Sequence, residues 1–136
     1  MAGKRGGRGV NAKGRSKRSP PFVMLPHYVL KSAAYCSLKP GPVSLLVQIV
    51  LRYNGSNNGQ IGFGRRDACK AINVSDKDTV AKYFRELEEK GLVKATKQGG
   101  FNMKDPSSRR ATEWAITWER LNEQPPTKEF MKWKAQ

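Results

Sequence analysis

Acidic residues are missing from the first half of this 136-residue chain, where no Asp or Glu precedes Asp67. The chain also has only one histidine and two cysteines, and it has no run of 18 apolar residues that could span a membrane. One histidine excludes a metal site built on several imidazoles, and two distant cysteines do not make a disulfide framework. The basic start lacks an apolar core, so we expect no secretory signal. These absences predict a protein of the reducing cytoplasm with no membrane partner, metal or cofactor.

Positive charge is what the sequence has in excess. Lys and Arg number 26 against 11 Asp and Glu, which gives a formal net charge of +15. Residues 1–66 hold 12 of the basic residues, and residues 67–136 hold 14 together with all 11 acids. A chain this basic repels itself and attracts polyanions, so nucleic acid is the first candidate partner. Its length allows one domain with one core.

The densest charge lies in residues 1–18, where five glycines are interspersed among the basic side chains. Such a segment buries too little surface to offset its ordering entropy, so we predict a disordered basic arm over residues 1–21, closed by Ser19-Pro20-Pro21. An arm of this kind contacts phosphates without regard to sequence, and a solvated tail is the alternative. Its basic residues are Lys4, Arg5, Arg8, Lys13, Arg15, Lys17 and Arg18.

Helical spacing of apolar residues predicts two helices at the start of the folded part. The positions that indicate the first helix, over about residues 26–37, are Val29, Leu30, Ala33 and Ala34. The motif Pro40-Gly41-Pro42 interrupts this pattern, and its second proline suits the first turn of the next helix. Residues 43–51 are apolar on nearly every helical face, so this second helix is predicted to lie at the centre of the core.

A short helix, a tight turn and a longer helix are predicted to follow. The short helix covers residues 65–72 and the longer one residues 76–90, with Asn73-Val74-Ser75 as the turn between them. Asn73 tolerates a left-handed backbone, and Ser75 is predicted to cap the longer helix. The buried stripe of the longer helix is Val80, Phe84 and Leu87. This order of elements is the helix-turn-helix unit.

Three short segments have the pattern of β-strands, at residues 60–63, 92–97 and 111–117. The last two are predicted to pair as an antiparallel hairpin, with residues 98–110 as a basic loop at its tip. We therefore predict an α+β fold, mostly α. Three core helices and a β-hairpin wing form a winged helix-turn-helix, preceded by an extra N-terminal helix and the disordered basic arm.

The stretch from Val74 to Val93 resembles the recognition helix and following strand of bacterial winged helix-turn-helix DNA-binding proteins. The pattern Ser-x-x-x-Thr-Val from Ser75, followed by Leu-Glu-x-x-Gly-Leu-Val from Leu87, carries the resemblance, which extends over roughly residues 40–118. The segments 53–59 and 111–114 are similar to small winged-helix proteins of bacteria, phages and plasmids. Many relatives have glycine at the position of Asn73, which tolerates the same backbone. The resemblance implies double-stranded DNA as the partner and transcription regulation at the nucleoid as the function.

Three groups of side chains are candidates for the DNA contact. The face of the longer helix opposite its apolar stripe would enter the major groove, with Ser75, Lys77, Asp78, Thr79, Ala81, Lys82 and Arg85. The hairpin would follow the backbone or enter the minor groove, with Lys97, Lys104, Arg109 and Arg110. Arg65 and Arg66 open the short helix, whose start faces a DNA backbone in this motif. A solvated surface is the alternative for each group.

No combination of side chains in the sequence predicts an enzyme. There is no nucleophile beside a base, and the carboxylates of Glu86, Glu88 and Glu89 are predicted to form the solvated face of a helix. We interpret Cys36 and Cys69 as small core residues. The one histidine, His27, is interpreted as a surface or capping residue, and Trp114 is expected in the core.

The predicted boundaries are a basic arm over residues 1–21, a winged helix-turn-helix domain over 22–120 and a tail over 121–136. In the tail, Thr127 is predicted to cap a last helix up to Lys134, which folds back on the domain or anchors a partner. The extra N-terminal helix is a candidate seam for a homodimer. Three alternatives to a transcription regulator stay open: a replication or partition factor, a sequence-neutral architectural or RNA-binding protein, and a protein-interaction module.

Overall fold

The computed structural model describes the backbone of residues 20–102 and 105–135, and the side chains of residues 20–99 and 111–135. The charged residues of the predicted basic arm and Lys104 lie outside the described residues. So do the side chains of Arg109 and Arg110, whose backbone is described. Within the described part, no helix combines the length and the apolar character needed to cross a membrane.

Five α-helices form in the described part of the chain: α1 (His27–Leu30), α2 (Ala33–Cys36), α3 (Pro40–Arg52), α4 (Arg65–Ile72) and α5 (Lys77–Glu89). The prediction of one helix over residues 26–37 was wrong. Ser32 has an extended backbone, and its hydroxyl accepts a hydrogen bond from the Tyr35 N–H, so it separates α1 from α2 and caps α2. Helix α3 begins at Pro40, so the Pro-Gly-Pro motif forms its first turn rather than a break before it.

The described strands are β1 (Ile61–Gly62), β2 (Val93–Lys97), β3 (Gly100–Asn102), β4 (Asp105–Arg110) and β5 (Glu113–Ile116). Strand β5 lies between β1 and β2 and runs antiparallel to both, which confirms the predicted pairing of the last two strand segments. The prediction of a loop over residues 98–110 was wrong, because β3 and β4 pair there as a second antiparallel ladder. Gly, Ser and Pro in this segment are poor strand formers and conceal the pairing in the sequence.

The core lies where α3, α4 and α5 pack against one another and α5 packs against β2 of the three-stranded sheet. The predicted stripe of Val80, Phe84 and Leu87 is buried, as are the central residues of α3. Phe84 stacks on Trp114 with ring centroids 4.8 Å apart and an interplanar angle of 5°. The ring of Phe63 meets Phe84 edge-on at 5.8 Å. This aromatic contact joins α5 directly to β5, so the helix is fixed against the hairpin.

The C-terminal segment folds back on the N-terminal helices. Phe130 is 1% exposed, and its ring lies 6.1 Å from that of Tyr28 and 6.0 Å from that of Trp118. The predicted helix from Thr127 to Lys134 was wrong. Lys128 has a left-handed backbone (φ 50°), and only a 3-10 helix over Glu129–Lys132 follows it.

The cysteine prediction was also wrong for Cys36. This residue is exposed and Cys69 is half-buried, so neither is a fully buried core residue. Cys36 is the last residue of the one-turn helix α2, and its thiol lies 3.4 Å from the Leu30 carbonyl oxygen instead of entering the core.

Candidate nucleic-acid interface

The connection between α4 and α5 fixes where α5 begins. Asn73 adopts the left-handed conformation (φ 58°, ψ 47°), and the Val74 N–H donates to the Cys69 carbonyl at 3.0 Å, which ends α4. The residue that caps α5 is Asp76, so the prediction of Ser75 was wrong. The Asp76 carboxylate accepts from the Asp78 N–H at 3.0 Å, and therefore takes the free amide that Ser75 was expected to bind.

The same carboxylate also accepts the hydroxyl of Thr79 at 2.9 Å. This hydrogen bond is the largest cause that holds the pKa of Asp76 below its usual value, followed by the Asp78 N–H, with a smaller attraction from Lys82. The carboxylate therefore stays charged to a lower pH than an ordinary aspartate. Thr79 is half-buried and its hydroxyl serves the helix cap, which makes it a positioning residue rather than a free ligand for a partner.

The exposed face of α5 is polar and carries most of the residues predicted to enter the major groove. Lys77, Asp78, Lys82 and Arg85 are exposed, Ser75 is exposed just before the helix, and Ala81 is half-buried. Among the described side chains, none of these charged residues takes part in a salt bridge. These side chains are therefore available to a partner from outside the chain.

Charge changes sign along α5. The basic residues Lys77, Lys82 and Arg85 lie in the part of α5 that also contains Asp78, and three glutamates, Glu86, Glu88 and Glu89, end the helix. Two of these glutamates have partners within the protein. Glu86 pairs with Lys90 at 3.3 Å, and the Glu88 carboxylate accepts the Ala95 N–H of β2 at 3.2 Å. The interpretation of these glutamates as a merely solvated face therefore missed the link that Glu88 makes between α5 and the hairpin.

A cleft of about 200 Å³ lies between α5 and the base of the hairpin. Its floor is aromatic, formed by Phe63, Phe84 and Trp114, and the Trp114 Nε1–H donates to the Phe63 carbonyl at 3.1 Å. Arg65 of α4 and Arg85 of α5 both line this cleft. Two predicted site residues from different helices are thus brought together, whereas Arg66 is exposed outside the described lining.

The hairpin side of the cleft contains residues that sequence reasoning missed. Gln98 and Thr112 line it, and the Thr112 hydroxyl accepts the Gly99 N–H at 2.9 Å. No periodic pattern marks Gln98 as a site residue, because the cleft is assembled from separate segments of the chain. Lys97, which was predicted, is exposed at the end of β2.

A second cavity, of about 380 Å³, lies beyond the other end of β5 and has a different chemistry. Tyr53, Asn58, Glu119 and Glu123 are among its lining residues. Burial raises the pKa of the Glu119 carboxyl, and burial together with the nearby Glu119 raises the pKa of Tyr53. Across the described side chains, no group of three or more His, Cys, Asp or Glu residues could hold a metal ion.

Asn58 organises that second cavity, although the sequence indicated only a loop there. Its buried amide nitrogen donates to the carbonyls of Ile116, Glu119 and Arg120 at 3.0, 3.3 and 2.9 Å, and its oxygen accepts the Ile116 N–H at 2.6 Å. These bonds span about sixty residues of sequence, so no local pattern could have indicated them. Asn58 therefore fastens the loop after α3 to the end of β5.

Comparison of the chain with protein-family models, with curated proteins and with solved structures finds no match. The functional inference therefore rests on the residues and geometry of the chain.

Proposed function

We propose that this chain contains a winged helix-turn-helix domain that binds duplex DNA with α5 in the major groove. The observation that carries the proposal is the arrangement of α5, which follows a tight turn after α4 and packs beside the β2–β5 hairpin. In a helix-turn-helix protein the helix after the turn enters the major groove. Here that helix buries one stripe and leaves Lys77, Lys82 and Arg85 exposed, with no salt bridge to any described side chain.

The distribution of charge also favours the outward face of α5 as the DNA contact. Lys77, Lys82 and Arg85 lie on the outward surface of α5, and Arg65 and Arg66 are exposed at the start of α4. Basic side chains neutralise phosphates, and Lys or Arg can donate to the guanine acceptors in the major groove. Asp78 is suited to accept from a cytosine amino group. A helix face that carries both positive and negative side chains favours sequence-specific contacts with bases over sequence-independent attraction to phosphates.

The proposed recognition is sequence-specific, and it is tested by selection from a random duplex-DNA library at physiological ionic strength. Salt at this level suppresses purely electrostatic binding, so an enriched motif is expected only if base edges are read. Retention without enrichment that disappears as salt rises would favour the architectural or RNA-binding alternative. Transcription regulation and homodimerisation stay predictions, and a palindromic motif would support a symmetric dimer.

The role of α5 is tested with Lys82→Ala, because Lys82 is exposed on the outward face. If Lys82 reads a base, the variant should lose about 1–3 kcal/mol of binding free energy on the selected motif and relax the preference at that base. Lys132→Ala, which removes an exposed lysine from the C-terminal 3-10 helix, is the matched control. Equal binding by both variants on every sequence would show that Lys82 does not read bases.

A further inference from the structure

We propose that the cleft between α5 and the hairpin binds a single phosphodiester group of the DNA backbone, held between Arg65 and Arg85. The proposal rests on the proposed binding of duplex DNA and goes further in one respect. It assigns Arg85 to the backbone, where it carries no sequence information, and not to a base edge.

The two arginines reach one cleft from two different helices. Arg65 is the first residue of α4 and Arg85 lies in the second half of α5, and both line the same space of about 200 Å³. Both side chains are exposed, and neither forms a salt bridge with a described side chain. Two like charges at one cleft repel, and an anion between them turns repulsion into attraction. The planar guanidinium groups also match the geometry of a phosphate.

The backbone at the start of α4 adds hydrogen-bond donors on the same side. The residue before the helix is Gly64, which has no side chain to cap the first turn and itself lines the cleft. The first N–H groups of a helix have no partners within the helix and attract anions. Asp67 lies in this turn too, but it is not among the residues that line the cleft.

The floor of the cleft favours a sugar-phosphate unit over a stacked base. Phe84 and Trp114 are only 6% and 5% exposed, so their ring faces are already covered and cannot serve as a stacking platform. Ala81 contributes a small apolar wall, which leaves space for a deoxyribose beside the phosphate. Glu88 is the one carboxylate among the described lining residues, and it accepts the Ala95 N–H.

This assignment divides the exposed face of α5 into two parts. Lys82 lies one turn before Arg85 and is not among the lining residues of the cleft, so it stays available to base edges. A helix in the major groove and a hairpin beside it are separated by one sugar-phosphate strand. The cleft is the place where that strand would pass between them.

The salt dependence of duplex binding tests whether one phosphate is shared. Full-length wild type, Arg65→Gln, Arg85→Gln and the double variant are titrated with a 20-base-pair duplex, with Arg120→Gln as a control for an exposed arginine outside the described lining of the cleft. For one shared phosphate, the negative slope of log K against log salt should become shallower by about 0.9 in the double variant. Two separate phosphates would make it shallower by about 1.8, and that result would overturn the proposal.

Two further measurements identify the site within the complex. A duplex series in which single phosphates are replaced by neutral methylphosphonates should contain one position that weakens wild type but not the double variant. Ala81→Leu, which keeps every charge and fills the cleft, should weaken binding at least tenfold while circular dichroism confirms folding. Unchanged binding by this variant, or a changed base preference in Arg85→Gln, would contradict the assignment.

Duplex binding by the wild type separates an error in the cleft assignment from an error in the proposed function. If wild type binds no duplex DNA even at low salt, both the proposed function and the cleft assignment are wrong. If wild type binds duplex DNA and the double variant has the same salt slope as wild type, only the cleft assignment is wrong.

Discussion

The two ends of β5 have opposite chemistry. Near Glu113 the strand borders a cleft lined by Arg65 and Arg85, and beyond Ile116 it leads to a cavity with Tyr53 and Glu119 in its lining. A net charge of +15 on the chain does not distinguish these ends. The arrangement of side chains does, because Arg65 and Arg85 outnumber Glu88 in the lining of the cleft, whereas Glu119 and Glu123 outnumber Arg120 in the lining of the cavity. Under the proposed function, a polyanion should therefore favour the first end.

The two ends also differ in how their polar groups are satisfied. At the carboxylate end, Asn58 makes four hydrogen bonds to the backbone and is 7% exposed. At the arginine end, the guanidinium groups have no salt bridge with any described side chain. Polar groups that are satisfied internally stabilise the fold, whereas groups left unpaired at the surface are available to a partner.

The largest effect on stability is expected at the carboxylate end. Asn58→Ala leaves a buried N–H and several carbonyls without their partner, which should lower the free energy of unfolding by roughly 2–4 kcal/mol. Urea denaturation measures this loss. Ser56→Ala removes an exposed hydroxyl from the same loop and should cost much less. Equal losses for the two variants would show that the Asn58 bonds do not hold this end together.

An intermediate effect, on binding rather than stability, is expected at the arginine end. Glu88→Gln removes a negative charge from the cleft but keeps an oxygen that accepts the Ala95 N–H. Exposed charge pairs contribute about 0.2–1 kcal/mol, so duplex binding should tighten by up to about fivefold. Glu89→Gln, an exposed neighbour on α5, is the matched control. A smaller gain for Glu88→Gln than for Glu89→Gln would argue against phosphate binding in this cleft.

The smallest effect is a pH dependence at the carboxylate end. Burial raises the pKa of Glu119 in the folded protein, so the folded state holds this proton more tightly than the unfolded chain. Stability from this group is therefore present below the unfolded pKa of about 4.3 and is lost as pH rises through the folded value. Glu119→Gln should remove this part of the pH dependence, by roughly a few tenths of a kcal/mol at this partly exposed site.

Urea denaturation of wild type and Glu119→Gln between pH 4 and pH 7 measures that difference. The pKa of Tyr53 should also move down toward its usual value in the variant, since Glu119 is one cause of its rise. Duplex binding should not weaken. Parallel plots of unfolding free energy against pH for the two proteins would show that burial does not raise the pKa of Glu119.

Sequence reasoning succeeded where one local pattern carries the information. The repeat of Val80, Phe84 and Leu87 predicts a buried stripe because all three belong to one helix, and that stripe is confirmed. It failed at Ser32, where a hydroxyl cap divides the predicted first helix in two. A side-chain cap competes with continuation of the helix, and the spacing of apolar residues does not indicate whether a serine ends the helix or continues it.

The candidate site was predictable residue by residue but not as a site. Arg65 and Arg85 were both candidates, yet their meeting in one cleft depends on how α4 packs against α5. The same holds for Asn58, whose partners lie near residue 116. Contacts between distant segments are set by tertiary packing, which local propensities and periodicities do not encode.

The most direct test of the account is to map the DNA contact onto the folded protein by NMR. Backbone amide shifts would be followed while a mixed-sequence duplex is added at low salt. We predict that the largest changes lie at residues 64–66, 77–85 and 97–99, with little change at residues 54–58 and 119–123. Changes concentrated at the Asn58 end, or none on α5, would contradict the claim that this protein presents α5 and its adjoining cleft to duplex DNA.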